Sequence, residues 1–156
     1  MKIRTVRVCL AMSILGVFAV AGSASAATGV WRVLQPGGNC LDANSSGTVS
    51  VGACTSGNNF QQWTGVLIAG SNRFQQKNLA TNQCLSIKDV GSSKVVFTTA
   101  CESVPVGSRQ LWDVTVHSVG GSWRQLRNVH TSSCLDSGQS SKLLACNNGV
   151  FQAWTR

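Results

Sequence analysis

The sequence has 156 residues, with 13 Lys and Arg against 5 Asp and Glu, a formal net charge of +8, seven cysteines, five tryptophans and no tyrosine. So few acids leave little material for a paired-carboxylate active site. The cations are spread along the chain with no run of like charge and no nucleic-acid motif beside them.

Lys2, Arg4 and Arg7 form a positive start, an apolar run extends from Val8 to Ala21, and Ala24-Ser25-Ala26 gives small residues at the positions that precede a cut. This order predicts a secretory signal peptide cleaved after Ala26. The run is short for the roughly 20 apolar residues a bilayer span needs. Arg4 and Arg7 are not adjacent, so a twin-arginine route is not indicated. Cys9 lies at the start of the apolar run, not at its end, and would leave with the signal. The expected mature chain, residues 27–156, has 130 residues, a net charge of +5 and six cysteines. That length suits one compact domain. An even cysteine count in an exported chain predicts a disulfide framework and extracellular localisation.

From there the chain reads as short strands. They are expected at Val30–Leu34, Cys40–Asp42, Gly47–Gly52, Phe60–Val66, Arg73–Asn78, Cys84–Ile87, Lys94–Thr98, Gln110–Val116, Trp123–Leu126, Cys134–Asp136, Lys142–Ala145 and Phe151–Thr155. Gly47-Thr48-Val49-Ser50-Val51-Gly52 shows the period of two that a half-buried strand requires. Clusters such as Asn44-Ser45-Ser46-Gly47 and Ser56-Gly57-Asn58-Asn59 supply turns. No stretch has helical periodicity. The expectation is an all-β domain of twelve strands.

The strands fall into three repeats. Cys40-Leu41-Asp42, Cys54 and Gln61-Gln62-Trp63 recur as Cys84-Leu85-Ser86, Cys101 and Gln110-Leu111-Trp112. They recur again as Cys134-Leu135-Asp136, Cys146 and Gln152-Ala153-Trp154. Six cysteines permit 15 pairings; the repeat selects Cys40–Cys54, Cys84–Cys101 and Cys134–Cys146, each local to its unit. One unit cannot bury its apolar face alone, so three must share a core. Trp63, Trp112 and Trp154 are its expected occupants, each needing a partner for its indole N–H. The Gln two residues earlier is expected on the same side of the strand, its amide tying down adjacent backbone.

The threefold Cys-Leu-Asp, Cys, Gln-x-Trp pattern resembles the ricin-type lectin domain, also found as a carbohydrate-binding module. The resemblance extends from about Val30 to Arg156. It implies a β-trefoil of three four-stranded repeats (about 30–66, 73–116 and 123–156), up to three sugar sites and no catalysis by the domain itself. In the family the Asp of Cys-Leu-Asp accepts hydrogen bonds from sugar hydroxyls, the Gln buttresses it, an Asn precedes Gln-x-Trp, and an aromatic ring lies two residues before the second cysteine.

Asp42, Gln61, Asp136 and Gln152 match these positions, whereas the second unit has Ser86 in place of the acid. Phe60, Arg109 and Phe151 stand where the Asn is usual, and Gly52, Thr99 and Leu144 stand where the ring is usual. Asn58 and Asn59 are close enough to serve the first unit. The resemblance therefore implies glycan binding through Asp42, Asn59, Gln61, Asp136 and Gln152, with the first unit leading, the third next and the second silent. Galactose-type sugars and plant or cell-wall polysaccharides are the expected glycans.

A bland role competes for both acids: an Asx-type turn after a short strand. The alternative function is a trefoil used for protein contact, as the binding subunit of a toxin, an inhibitor or an accessory factor. Phe60 and Phe151 would decide, since rings exposed together would favour such an interface. The ten remaining cations read as a solvated surface, with attraction to anionic glycans as the functional counterpart. Asp42, Asp89, Glu102, Asp113 and Asp136 fall in separate segments, and His117 and His130 lack metal-spaced partners. No enzyme activity, metal, cofactor, nucleic-acid partner or membrane span is expected. The reading expects a monomer.

Overall fold

The structure is a computed structural model and describes residues 28–34, 37–138 and 142–156. The expected signal segment, Met1–Ala26, lies outside the described residues. No described helix is long and apolar enough to cross a membrane.

The strands are β1 (Thr28–Val30), β2 (Arg32–Val33), β3 (Cys40–Ala43), β4 (Val49–Gly52), β5 (Gln62–Leu67), β6 (Arg73–Asn78), β7 (Gln83–Val90), β8 (Ser93–Ala100), β9 (Trp112–Val116), β10 (Arg124–Asn128), β11 (Cys134–Asp136), β12 (Lys142–Leu144) and β13 (Trp154–Thr155). All pair antiparallel. A barrel closes through the pairs β1–β5, β5–β6, β6–β9, β9–β10, β10–β13 and β13–β2. Three hairpins, β3–β4, β7–β8 and β11–β12, cap one end. Each hangs from the barrel by its first cysteine, opposite Arg32, Lys77 or Arg127. This arrangement is a β-trefoil.

Among the described residues thirteen strands appear where twelve were expected, because the first segment divides at Trp31. β1 runs along β5, with Gly29 opposite Trp63, while β2 runs along β13. At the junction the Trp31 indole is buried and donates to Gln76 Oε1 at 3.0 Å.

The three repeat tryptophans form the centre. Trp63, Trp112 and Trp154 are fully buried, and their indole nitrogens donate to the carbonyls of Leu41, Leu85 and Leu135, each at 3.0 Å. The Cys-Leu step thus supplies both halves of its unit's contact. The leucine side chain enters the core, and its carbonyl satisfies an indole that would otherwise be buried without a partner. Disulfides join Cys40 to Cys54, Cys84 to Cys101 and Cys134 to Cys146.

One local expectation is corrected. Gln61, Gln110 and Gln152 lie at the ends of short 3-10 turns, Asn59–Gln61, Ser108–Gln110 and Val150–Gln152, and not on strands. On a strand each Gln would point the same way as its Trp, into the barrel. The turn instead sends its amide back to the chain beside the second cysteine.

Candidate functional site

Each Gln binds two backbone groups flanking its unit's second cysteine. Gln61 Oε1 accepts from Thr55 N at 2.8 Å and its Nε2 donates to Ala53 O at 2.9 Å. Gln110 makes the same pair with Glu102 N at 3.0 Å and Ala100 O at 2.8 Å. Gln152 does so with Asn147 N at 2.9 Å and Ala145 O at 3.1 Å. A primary amide presents an acceptor and two donors, and one N–H remains to be placed.

That last N–H separates the units. In the first, Gln61 Nε2 also donates to Asp42 Oδ2 at 2.9 Å. Asp42 is half-buried on β3, and no donor among the described residues meets its Oδ1. In the third, Gln152 Nε2 donates to Asp136 Oδ2 at 3.1 Å, while Gly138 N donates to Asp136 Oδ1 at 2.8 Å. Asp136 is only 5% exposed. An Asx turn therefore engages Asp136. In the first unit Asn44 carries that kind of work, accepting from Ser46 N and Thr48 N at 3.1 and 2.9 Å. In the second unit Ser86 is buried, and the structure shows no hydrogen bond between it and Gln110.

The residue before each Gln differs accordingly. Phe60 and Phe151 are 39% and 42% exposed, each in its own unit. The Phe151 ring lies beside Asp136: a Cβ added at Gly138 would stand 3.5 Å from Phe151 Cγ and 3.0 Å from Asp136 Oδ1. In the second unit Arg109 reaches across to the hairpin, donating to Asp89 Oδ2 at 2.7 Å and to Ile87 O at 3.5 Å. Lys94 holds the other oxygen of Asp89. Hydrogen bonds from Lys94 and then Arg109 pull the Asp89 carboxyl down to a pKa of about 2. Asp89 and Lys94 belong to a β7–β8 hairpin longer than its two counterparts.

Asn58 caps the first turn, its Oδ1 accepting from Phe60 N at 3.0 Å. Asn59 is exposed, and its carbonyl accepts from Ala80 N. Gly52, at the expected ring position, has open space around it: a Cβ there meets nothing within 4 Å. Leu144 is exposed and Thr99 half-buried.

The sequence reading missed two supporting amides. Gln75 Nε2 donates to Gln110 Oε1 at 2.9 Å and Glu102 O at 3.2 Å. Gln125 Nε2 donates to Gln152 Oε1 at 3.2 Å and Asn147 O at 2.9 Å. Each lies two residues before the strand position opposite its first cysteine, a spacing that repeat alignment could have exposed.

The family model described as "Ricin-type beta-trefoil lectin domain" matches residues 29–154. The chain belongs to the ricin-type β-trefoil lectin domain family. No curated protein matches the sequence. Among solved structures, the fold is similar to the designed threefold-symmetric protein ThreeFoil at 19% identity and a TM-score of 0.66, covering 81% of this chain and 95% of that one. It is similar to the hemolytic lectin CEL-III at 19% identity and 0.64, covering 82% of this chain but 29% of that one. It is also similar to SeviL, solved bound to asialo-GM1 saccharide, at 11% identity and 0.64, covering 84% and 96%. These likenesses are of fold.

Proposed function

We propose that this lectin-family chain is an exported, non-catalytic carbohydrate-binding domain whose leading site is in the first repeat. The observation that carries this is the asymmetry of Asp42. Gln61 fixes one carboxylate oxygen at 2.9 Å, while the other, with no described donor, is available to a sugar hydroxyl. A carboxylate accepts such bonds with charge assistance, and orientation by Gln61 spares the carboxylate a search for its binding geometry. Asn59, exposed at the start of the adjoining 3-10 turn, supplies a further polar contact, and Phe60 supplies an exposed ring.

The third repeat is the weaker site. Asp136 and Gln152 are arranged alike, but both Asp136 oxygens already hold protein donors. A hydroxyl there must share an oxygen, with Phe151 as the adjoining ring. The second repeat is silent: it has no acid at Ser86, and Arg109 crosses to the hairpin. One shallow site of this kind corresponds to an affinity near millimolar, about −4 kcal/mol. Binding to a polymeric glycan gains through multivalency where two repeats engage. The expected ligands are neutral galactose-type sugars or cell-wall polysaccharides, reached by a monomer outside the cell.

The test is an array of neutral and acidic glycans probed with the oxidised protein, Asp42→Ala and Asp136→Ala at two salt concentrations. Neutral-glycan binding that survives salt and is lost in Asp42→Ala supports the reading. Binding only to acidic glycans, lost in salt and unchanged by either substitution, replaces it with a surface-charge effect. A folded protein that binds no glycan turns attention to protein partners.

A further inference from the structure

The second and third repeats each place a glutamine amide on the Oε1 side of the Gln-x-Trp glutamine, and the first repeat does not. Register fixes the comparison twice. Val30, Gln75 and Gln125 each lie two residues before Arg32, Lys77 and Arg127, which stand opposite the first cysteines. They also share the barrel position facing the middle residue of Gln-x-Trp: Val30 pairs with Gln62, while Gln75 and Gln125 each follow the residue that pairs with Trp112 or Trp154.

In those two repeats one –NH2 group bridges two acceptors, a glutamine Oε1 and the carbonyl of the residue after the second cysteine, at 2.9 to 3.2 Å. In the first repeat the same two acceptors are Gln61 Oε1 and Thr55 O. Gln61 Oε1 takes only Thr55 N, and Thr55 O takes Asn58 N at 3.3 Å. Each oxygen has two lone pairs, so each can accept a second bond. With Val30 in place of an amide, these acceptors border a cleft of about 290 Å³, also bounded by Arg32, Ser56 and Gly57. Arg32 is exposed, and no hydrogen-bond or ion-pair partner among the described residues meets its guanidinium.

From this we infer that the first repeat carries a second binding site, specific for a primary carboxamide. The ligand's –NH2 would bridge Gln61 Oε1 and Thr55 O as the Gln75 and Gln125 amides do in their own repeats, and its carbonyl oxygen would face Arg32. The site is separate from the proposed glycan site, which uses the Nε2 side of Gln61. A carboxamide reaches it either as a small amide or as the side chain of Gln or Asn in a peptide.

The experiment follows the Thr55, Gly57 and Gln61 side-chain amide resonances of the oxidised protein during titration. The probes are propionamide, N,N-dimethylpropionamide, and acetyl-Ala-Gln-Ala and acetyl-Ala-Leu-Ala with their C-termini blocked as dimethylamides, so that only the Gln side chain brings a primary carboxamide to a peptide. Saturable shifts are expected with propionamide and the Gln peptide and absent with the two probes lacking a primary carboxamide side group. Tenfold tighter binding of the Gln peptide than of propionamide would make a peptide the source, and equal binding a small amide. Val30→Gln, which supplies the missing amide from the chain itself, should abolish the shifts, as should Val30→Met, which sends a side chain of glutamine's length into the cleft without a donor. Equal shifts with the dimethyl compound, shifts that persist in both variants, or no saturation up to roughly 100 mM, where an efficient ligand of so few atoms should saturate, would each overturn the inference.

Discussion

Arg109 occupies the position that Phe60 and Phe151 hold in the other repeats, and its guanidinium is 2.7 Å from Asp89 Oδ2. Asp89, with its carboxyl at about 2, has a lower pKa in the folded chain than the unfolded value of 3.8. A group with a depressed folded pKa contributes stability above its unfolded pKa and loses it as pH falls through the folded one. Asp89→Asn should therefore be less stable than the parent above about pH 4, with the difference shrinking as pH falls and disappearing below about pH 2. Acid-unfolding curves of the two proteins, compared at low salt, check this. Added salt should narrow the gap because the pair is exposed.

The first repeat lacks the ring the family places two residues before the second cysteine, and the space for one exists at Gly52. Gly52→Trp should strengthen glycan binding roughly 2- to 10-fold, the range expected for an added aromatic contact of about 0.5–1.5 kcal/mol. Titration calorimetry against the best glycan from the array reads the change. The gain should vanish when Asp42→Ala is combined with it.

Gln61→Ala removes an amide that serves Thr55, Ala53 and Asp42 together. The part-buried polar groups left without their partner should cost about 1–3 kcal/mol of unfolding free energy, measured by denaturant titration. Asp42→Asn should cost less, since the carboxylate receives one protein hydrogen bond, yet weaken glycan binding. A larger stability loss for Asp42→Asn than for Gln61→Ala would contradict the roles assigned to the pair.

Trp112→Phe keeps an aromatic ring in the core but leaves the Leu85 carbonyl without the indole it accepts from at 3.0 Å. The expected loss is about 1–3 kcal/mol, and Trp112→Ala should lose about 3–5 kcal/mol. Equivalent substitutions at Trp154 should rank the same way by thermal unfolding.

The repeat of Cys-Leu, Cys and Gln-x-Trp made the trefoil, the three bridges and the buried tryptophans legible, because each landmark has one structural job in all three units. The placement of the glutamines was not legible. Alternation is blind to a one-turn 3-10 element, so Gln61 read as strand although Asn58 was there to cap the turn. The difference between Asp42 and Asp136 also escaped, although both follow Cys-Leu. It is decided two residues later, where Gly138 N donates to Asp136 Oδ1 whereas Asn44 N donates to Thr48 O. The Asp89–Arg109 contact joins residues 20 apart, a pairing that becomes visible only once the long hairpin is folded beside the turn.

The barrel ring is completed by Trp154 and Thr155 lying against Val33 and Arg32. Every other barrel pair joins strands nearer in sequence. A chain still on the ribosome and short of Thr155 thus has an open sheet edge on its first unit, with Val33 and its neighbours lacking their partner strand. Native burial of the first unit must wait for translation of the third, so the closed barrel can form only once synthesis has reached the last strand.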